Sequence, residues 1–352
     1  MDSSILNNLT DPPILFFVLG LFVAAIRSNL EIPAPVTKFL ALYLLMAIGF
    51  KGGQALSKNG ITGTALEVWA LAFFLALAIP AFAYFVLHRR INGFDAAAIA
   101  ATYGSVSAVT FVAATTFLTS QGDEPGGYMA VALVLMESPA IIMAVLLATL
   151  ARANAKKAAK GRAAGDDAAA GASLADPGAE ATPGKTASPL PMKSILHEAF
   201  TDGAHLLLLG SLAVGALAGE KGGEVMKPFV GDIFKGLLAF FLLDMGLLVA
   251  RQLREVRDVG PFLIGFGLVM PLIGAALALT LGNIMGLSVG DLTMIAVLAA
   301  SASYIVVPAV VRYAIPEARP SRYFTMSLAV TFPFNIVLGI PLYYTVAQQL
   351  GG

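Results

Sequence analysis

The chain has 352 residues, of which 58% are hydrophobic and 12% charged, against roughly 25% charged in an ordinary soluble domain. Its 22 basic and 22 acidic residues cancel, which argues against a nucleic-acid binder. With no cysteine and only three scattered histidines (His88, His197 and His205), the chain has no means of forming disulfides, thiolate zinc sites, thiol nucleophiles or a His-rich metal centre.

This composition predicts an all-α protein of the lipid bilayer. A membrane helix needs about 20 mostly apolar residues. Ten segments are candidates. The first five are 12–27, 35–56, 64–87, 94–120 and 127–151; the second five are 203–219, 232–253, 260–283, 291–313 and 321–349. The residues before the first segment include Asp2 and Asp11 but no base, unlike a signal peptide, so the first apolar run is expected to remain as a span. Between the two sets lies 152–192, rich in Ala, Gly, Pro and charge, with no aromatic residue to found a core. It reads as a flexible linker or a docking segment. The expected organisation is 1–151, linker 152–192 and 193–352.

Cytoplasmic loops retain Lys and Arg. With the linker inside, Arg27, Arg89, Arg90, Arg251, Arg254 and Arg257 join its bases there, while Lys51, Lys58, Lys221, Lys227 and Lys235 fall outside. Both termini are then outside.

The halves resemble each other. Asp95, Ile99, Ala100, Ser105 and Ser107 match Asp291, Ile295, Ala296, Ser301 and Ser303, all shifted by 196 (95 to 291). Lys38, Leu45 and Gly49 match Lys235, Leu242 and Gly246, shifted by 197 (38 to 235). Two homologous five-span units in one chain must be inverted, an architecture of many secondary transporters.

The fourth segment carries Tyr103-Gly104-Ser105-Val106-Ser107-Ala108-Val109-Thr110. The ninth carries Ser301-Ala302-Ser303-Tyr304 and then Pro308. Such stretches predict discontinuous helices, whose N-termini suit an anion and whose freed carbonyls and hydroxyls suit sodium. The alternative is close helix packing by small residues. Two acids fall deep in spans, where a charge costs about 2.5–3.5 kcal/mol on insertion scales. Glu137, beside Pro139, reads either as an ion- or proton-coupling group or as a structural hydrogen-bond acceptor. The equivalent stretch of the tenth segment offers Thr331, Pro333 and Asn335. Asp244 is expected to form an ion pair with Arg251 or Lys235. Asp95 and Asp291 are expected to cap the fourth and ninth helices. No activated nucleophile or cofactor loop is visible, so an enzyme is not expected.

These residues resemble a known family. Gly49-Phe-Lys-Gly-Gly53, Met136-Glu137-Ser138-Pro139, Leu243-Asp244-Met245-Gly246, Ser301-Ala-Ser303, and Thr331-Phe-Pro333 are similar, in order and spacing, to the sodium-dependent bicarbonate permeases of cyanobacteria. The resemblance covers about 13–350 and spares the linker. It implies an elevator-type importer of bicarbonate with a core and a gate domain. It also implies a homotrimer in the bacterial plasma membrane, a PII-like cytoplasmic regulator, and sodium as coupling ion with no other cofactor. The implied substrate site is Gly104, Ser105, Ser107, Ala108, Ser301, Ser303 and Tyr304; the implied sodium ligands are Ser107, Thr110, Glu137, Ser303 and Asn335. The chain departs from the family pattern at Tyr304, where the family has an acid, and at Val306, Val307 and Ala108-Val109. These departures leave open a proton- or ion-coupled exchanger of another small anion, or a transport-derived sensor.

Overall fold

The computed structural model describes residues 8–166 and 203–351; most of the expected linker, 167–192, lies outside the described residues. The described residues form helices and no strand. In chain order these are α1 (Pro12–Ala25), α2 (Ala34–Asn59), α3 (Gly63–Leu87), α4 (Gly93–Gly104), α5 (Ala108–Gln121) and α6 (Met129–Asp166). There follow α7 (Gly203–Lys227), α8 (Phe234–Gln252), α9 (Pro261–Ile284), α10 (Val289–Ala300), α11 (Val306–Ala314) and α12 (Pro320–Gly351).

Seven helical runs among the described residues are long and apolar enough to cross a membrane. One of these, 206–259, contains both the sixth and seventh expected segments, while α1 and α10 are shorter apolar helices. The chain is a multi-pass membrane protein. Its outward faces carry Phe73, Phe74, Phe82 and Phe85, all about half exposed, which suits lipid rather than water. Inside α7, Gly219 leaves helical geometry at a φ of 56° and ψ of −156°, conformations that glycine adopts without a Cβ clash. That bend coincides with the expected end of the sixth segment. Helix α6 instead overruns its expected end and continues to Asp166. Residues 152–166 are dominated by Ala, Lys and Arg, strong helix formers, so the helix continues where a flexible linker was expected.

Two helix groups emerge. In one, α1 lies along α8 and α2 along α7. Glycines set both approaches: a Cβ on Gly20 would overlap the Leu243 carbonyl oxygen, and one on Gly246 that of Phe17. Likewise a Cβ on Gly53 would overlap the Leu212 carbonyl oxygen, and one on Gly215 that of Phe50. In lipid, helices associate through such backbone proximity, because apolar burial gives no advantage there. In the other group, α3 packs on α4 and α6, α9 packs on α10, and α10 packs on α12. Helix α12 is widened by π-type turns at Met326–Thr331 and Asn335–Gly339, on either side of Pro333, which has no N–H to give the regular ladder.

The capping expectation for the two aspartates is corrected. Asn92 caps α4 by accepting from Phe94 N–H at 2.9 Å, and Ser288 caps α10 by accepting from Asp291 N–H at 3.2 Å. The caps sit three residues earlier in each half, which leaves both carboxylates to reach the other half. Asp95 accepts from Arg319 N–H and from the Arg322 guanidinium, each at 2.8 Å. Asp291 accepts from Gly126 N–H at 2.7 Å and from the Tyr128 hydroxyl at 2.6 Å. Asp244 also differs from expectation. Its direct partner is the Thr37 hydroxyl at 2.5 Å, while Arg251 reaches Glu31 at 3.6 Å.

Candidate functional site

Helix α4 ends at Gly104 and α5 begins at Ala108; α10 ends at Ala300 and α11 begins at Val306. Both interruptions therefore fall on the hydroxyl-rich stretches, as the sequence predicts. Ser105 and Ser301 adopt extended backbone, at ψ 173° and 162°. The interruptions lie side by side, because Ser303 N–H donates to the Thr102 carbonyl at 2.8 Å. Each is followed by a new helix N-terminus. Ser107 caps α5 by accepting from Thr110 N–H at 3.2 Å, and Ser303 accepts from Val307 N–H at 3.4 Å. The positive ends of α5 and α11 thus converge where the chain crosses itself.

A cavity of about 60 Å³ opens there. It is lined by Val106, Ser107, Ala108, Ser303, Tyr304 and Ile305 of the interruptions, by Leu133 and Glu137 of α6, by Leu45 of α2, and by Ala204 and Leu208 of α7. A single water needs about 10–15 Å³ by such a measure, so the space suits a few waters or one small polyatomic ion. Five of the predicted residues meet in it: Ser107, Ala108, Glu137, Ser303 and Tyr304. Thr110 and Ser105 are buried beside them, and their hydroxyls have no hydrogen-bond partner. A buried hydroxyl without a partner costs about 1–3 kcal/mol, so each would gain from a polar group brought within its reach.

The remaining predicted residues are engaged elsewhere. Gly104 is packed so tightly on Pro80 of α3 that a Cβ would lie 2.6 Å from the proline Cγ. Ser301 donates to the Val297 carbonyl at 2.7 Å. Asn335 donates to the Ala300 carbonyl at 2.8 Å and accepts from Tyr343 at 2.9 Å. It thereby ties α12 to the end of α10 rather than lining the cavity.

The electrostatics are asymmetric. Glu137 is buried, and the described residues around the cavity include no Lys or Arg. A buried carboxylate favours a nearby cation, while two helix N-termini favour an anion. The site therefore suits an anion and a cation together. Among the described residues no group of three or more His, Asp or Glu is placed to hold a metal ion. Any bound cation here would rely on hydroxyls, carbonyls and at most one carboxylate.

Sequence reasoning missed Leu45, Leu133, Ala204 and Leu208, because an apolar residue in an apolar helix carries no signal of the face it presents. It also missed two larger cavities. One, about 340 Å³, lies a turn further along α2, α5 and α6, where Ile48, Phe111 and Met129 line it together with Lys51 and Lys235. The other, about 520 Å³, shares Tyr304 and Ile305 with the small cavity and is lined also by Pro308, Arg312 and Tyr323.

A multi-pass membrane protein, helical throughout its described residues, with two adjoining interrupted helices around a small cavity is the class that these observations define. The model of the Na+-dependent bicarbonate transporter superfamily matches residues 12–348, nearly the whole chain, and the protein belongs to that family. No curated protein matches the chain.

Proposed function

We propose that the protein is a secondary active transporter that imports bicarbonate with sodium by alternating access. The observation that carries this reading is the cavity at the crossed interruptions, where helix N-termini and a buried carboxylate meet in a chain of this family. Bicarbonate sits against the N-termini of α5 and α11, near Ser107, Ala108 and Ser303. Sodium is held by oxygens, which hard cations prefer, with the Thr110 hydroxyl and Glu137 as first candidates and Ser105 within reach.

In this reading the ten segments are ten crossings in two inverted repeats. Reciprocal contacts support it. Asp95 reaches the loop before α12, and its counterpart Asp291 reaches the loop before α6. Gly246 of α8 meets α1, and its counterpart Gly49 of α2 meets α7. Helices α1, α2, α7 and α8 form the gate domain, and α3–α6 with α9–α12 form the core that moves against it. The proposal includes both termini outside, residues 152–192 in the cytoplasm, a homotrimer in a bacterial plasma membrane and a PII-like regulator on the cytoplasmic face.

The test is uptake of labelled bicarbonate into proteoliposomes with and without an inward sodium gradient. Uptake that follows the sodium gradient supports the reading. Uptake that follows a proton gradient instead supports a second reading, proton coupling through Glu137. That alternative is favoured by the engagement of Asn335 elsewhere and by the phenol of Tyr304 in the cavity wall. No uptake of any small anion under either gradient leaves the sensor reading.

A further inference from the structure

Tyr304 stands where two cavities meet. It lines both the 60 Å³ cavity and the 520 Å³ cavity that contains Arg312. Its side chain is buried, at 6% exposure, although it belongs to an interrupted segment between two helices. Three contacts fix it. The hydroxyl points at Met245 Sδ of α8 at 3.8 Å, the ring stands edge-on to Phe332 of α12 at 5.3 Å between centroids, and the hydroxyl also interacts with the Ser107 side chain. Phe332 in turn stands edge-on to Phe17 of α1 at 5.8 Å. The ring thus packs within its own helix group against Phe332 and Ser107, and meets the other group at Met245 of α8.

We infer that Tyr304 is the gate residue that separates the substrate cavity from the Arg312 side, and that its ring must leave Met245 for an ion to pass. This rests on the transport reading above. The physical argument is steric and reversible. A phenol fills the passage, yet its anchor on the opposite helix group is a single sulfur contact, weaker than a buried charge pair. The Met245 contact crosses between the groups that alternating access moves apart, so relative movement of the groups frees the hydroxyl end of the ring, while Phe332 and Ser107 stay with it. Ile305 lines both cavities too, but it is 56% exposed and forms the lip rather than the plug.

The absence of cysteine makes the test direct. Ala108→Cys places one thiol in the wall of the small cavity. Its modification by a small, charged, membrane-impermeant thiol reagent is timed in right-side-out and inside-out vesicles. With Tyr304 intact, labelling from the Arg312 side should be slow. Tyr304→Ala should speed it tenfold or more from that side and leave the opposite side unchanged. Tyr304→Phe keeps the ring and should stay within about threefold of the parent. Tyr304→Leu, which keeps apolar bulk should the alanine variant fail to fold, should fall between them. Ser321→Ala, which lines only the larger cavity, should change nothing.

No acceleration in the Ala and Leu variants, or equal acceleration from both sides, overturns the gate. Labelling does not depend on which ion is carried. A side-selective effect without bicarbonate uptake therefore upholds the gate and rejects the substrate, and the converse rejects the gate alone.

Discussion

The backbone N–H of Ser303 donates to the carbonyl of Thr102 across 2.8 Å, and so joins the interruption of one half to that of the other. Thr102 lies in the last turn of α4 and Ser303 just beyond α10, so each half satisfies a backbone group that its own helix has released. Unsatisfied backbone is tolerated at membrane depth only where it is buried in protein or lines a cavity. Here both conditions hold within a few residues. The bond also joins the two interruptions directly.

The serines next to this bond have two separable duties. Ser107 caps α5 and also lines the cavity. Ser107→Ala should lower stability by about 1 kcal/mol through the lost cap and should also impair uptake. Ser107→Asn keeps a capping oxygen, so its thermal stability in detergent should match the parent while uptake still falls, because the larger side chain intrudes on a small cavity. Ser57→Ala, at an exposed position of α2, should change neither. Uptake in the asparagine variant equal to the parent would reduce Ser107 to a cap.

The reciprocal aspartates predict a stability effect. The Asp95 side chain is 2% exposed and paired with Arg322, which is 25% exposed. Removing one partner of a buried pair costs about 3–5 kcal/mol, and the partial exposure of Arg322 puts Asp95→Ala near the lower end, about 3 kcal/mol. Asp291→Asn leaves the Tyr128 hydroxyl and Gly126 N–H with a weaker acceptor and no orphaned cation, so it should cost less, about 1–2 kcal/mol. Melting of the purified variants checks the order. An Asp291→Asn loss larger than that of Asp95→Ala would contradict it.

Much of the site was legible because polar groups are conspicuous in an apolar chain. Ser105, Ser107, Ser301 and Ser303 marked both interruptions, and Glu137 stood out as an acid deep in a span. The errors have equally physical causes. Asp95 was read as a cap because Asn92, three residues earlier, has the same capping chemistry and only geometry decides between them. Asn335 was read as a cation ligand because an amide oxygen suits sodium; that its amide holds the Ala300 carbonyl was not legible, because it depends on the widened α12. Residues 152–166 were read as linker because Ala, Lys and Arg serve flexible linkers and helices alike. Leu45 and Leu208 carried no signal at all.

The glycine contacts between α1 and α8 and between α2 and α7 predict sharp position dependence. Gly246→Leu and Gly53→Leu would force side chains into a facing backbone carbonyl. Both should lose stable folded protein in the membrane, read as loss of a monodisperse peak after extraction. Gly236→Ala, on α8 with nothing within 4 Å of its Cβ position, should behave as the parent or slightly better, since alanine favours the helix by up to about 1 kcal/mol. Tolerance of both leucine variants would mean that these helix pairs separate more readily than the packing suggests.

Tyr304 offers the test that bears most directly on the coupling ion. It lines the cavity with Ser107, Ser303 and Glu137, at a position where the family resemblance implies an acid. Tyr304→Asp would add a second carboxylate there. Two carboxylates in one small, poorly hydrated space repel each other, and a bound cation relieves the repulsion. The variant should therefore show a steeper dependence of bicarbonate uptake on sodium than the parent, with half-maximal uptake at lower sodium concentration. Loss of the ring would also open the passage towards Arg312, so the sodium effect must be read from initial rates, before any leak dissipates the gradient. The informative contrary result is a parent that already depends steeply on sodium and a Tyr304→Asp variant that has lost uptake. In that case the cation is held without help from position 304, by Glu137, the Thr110 hydroxyl and backbone carbonyls of the interruptions, and the phenol is part of the native arrangement rather than the remnant of a lost ligand.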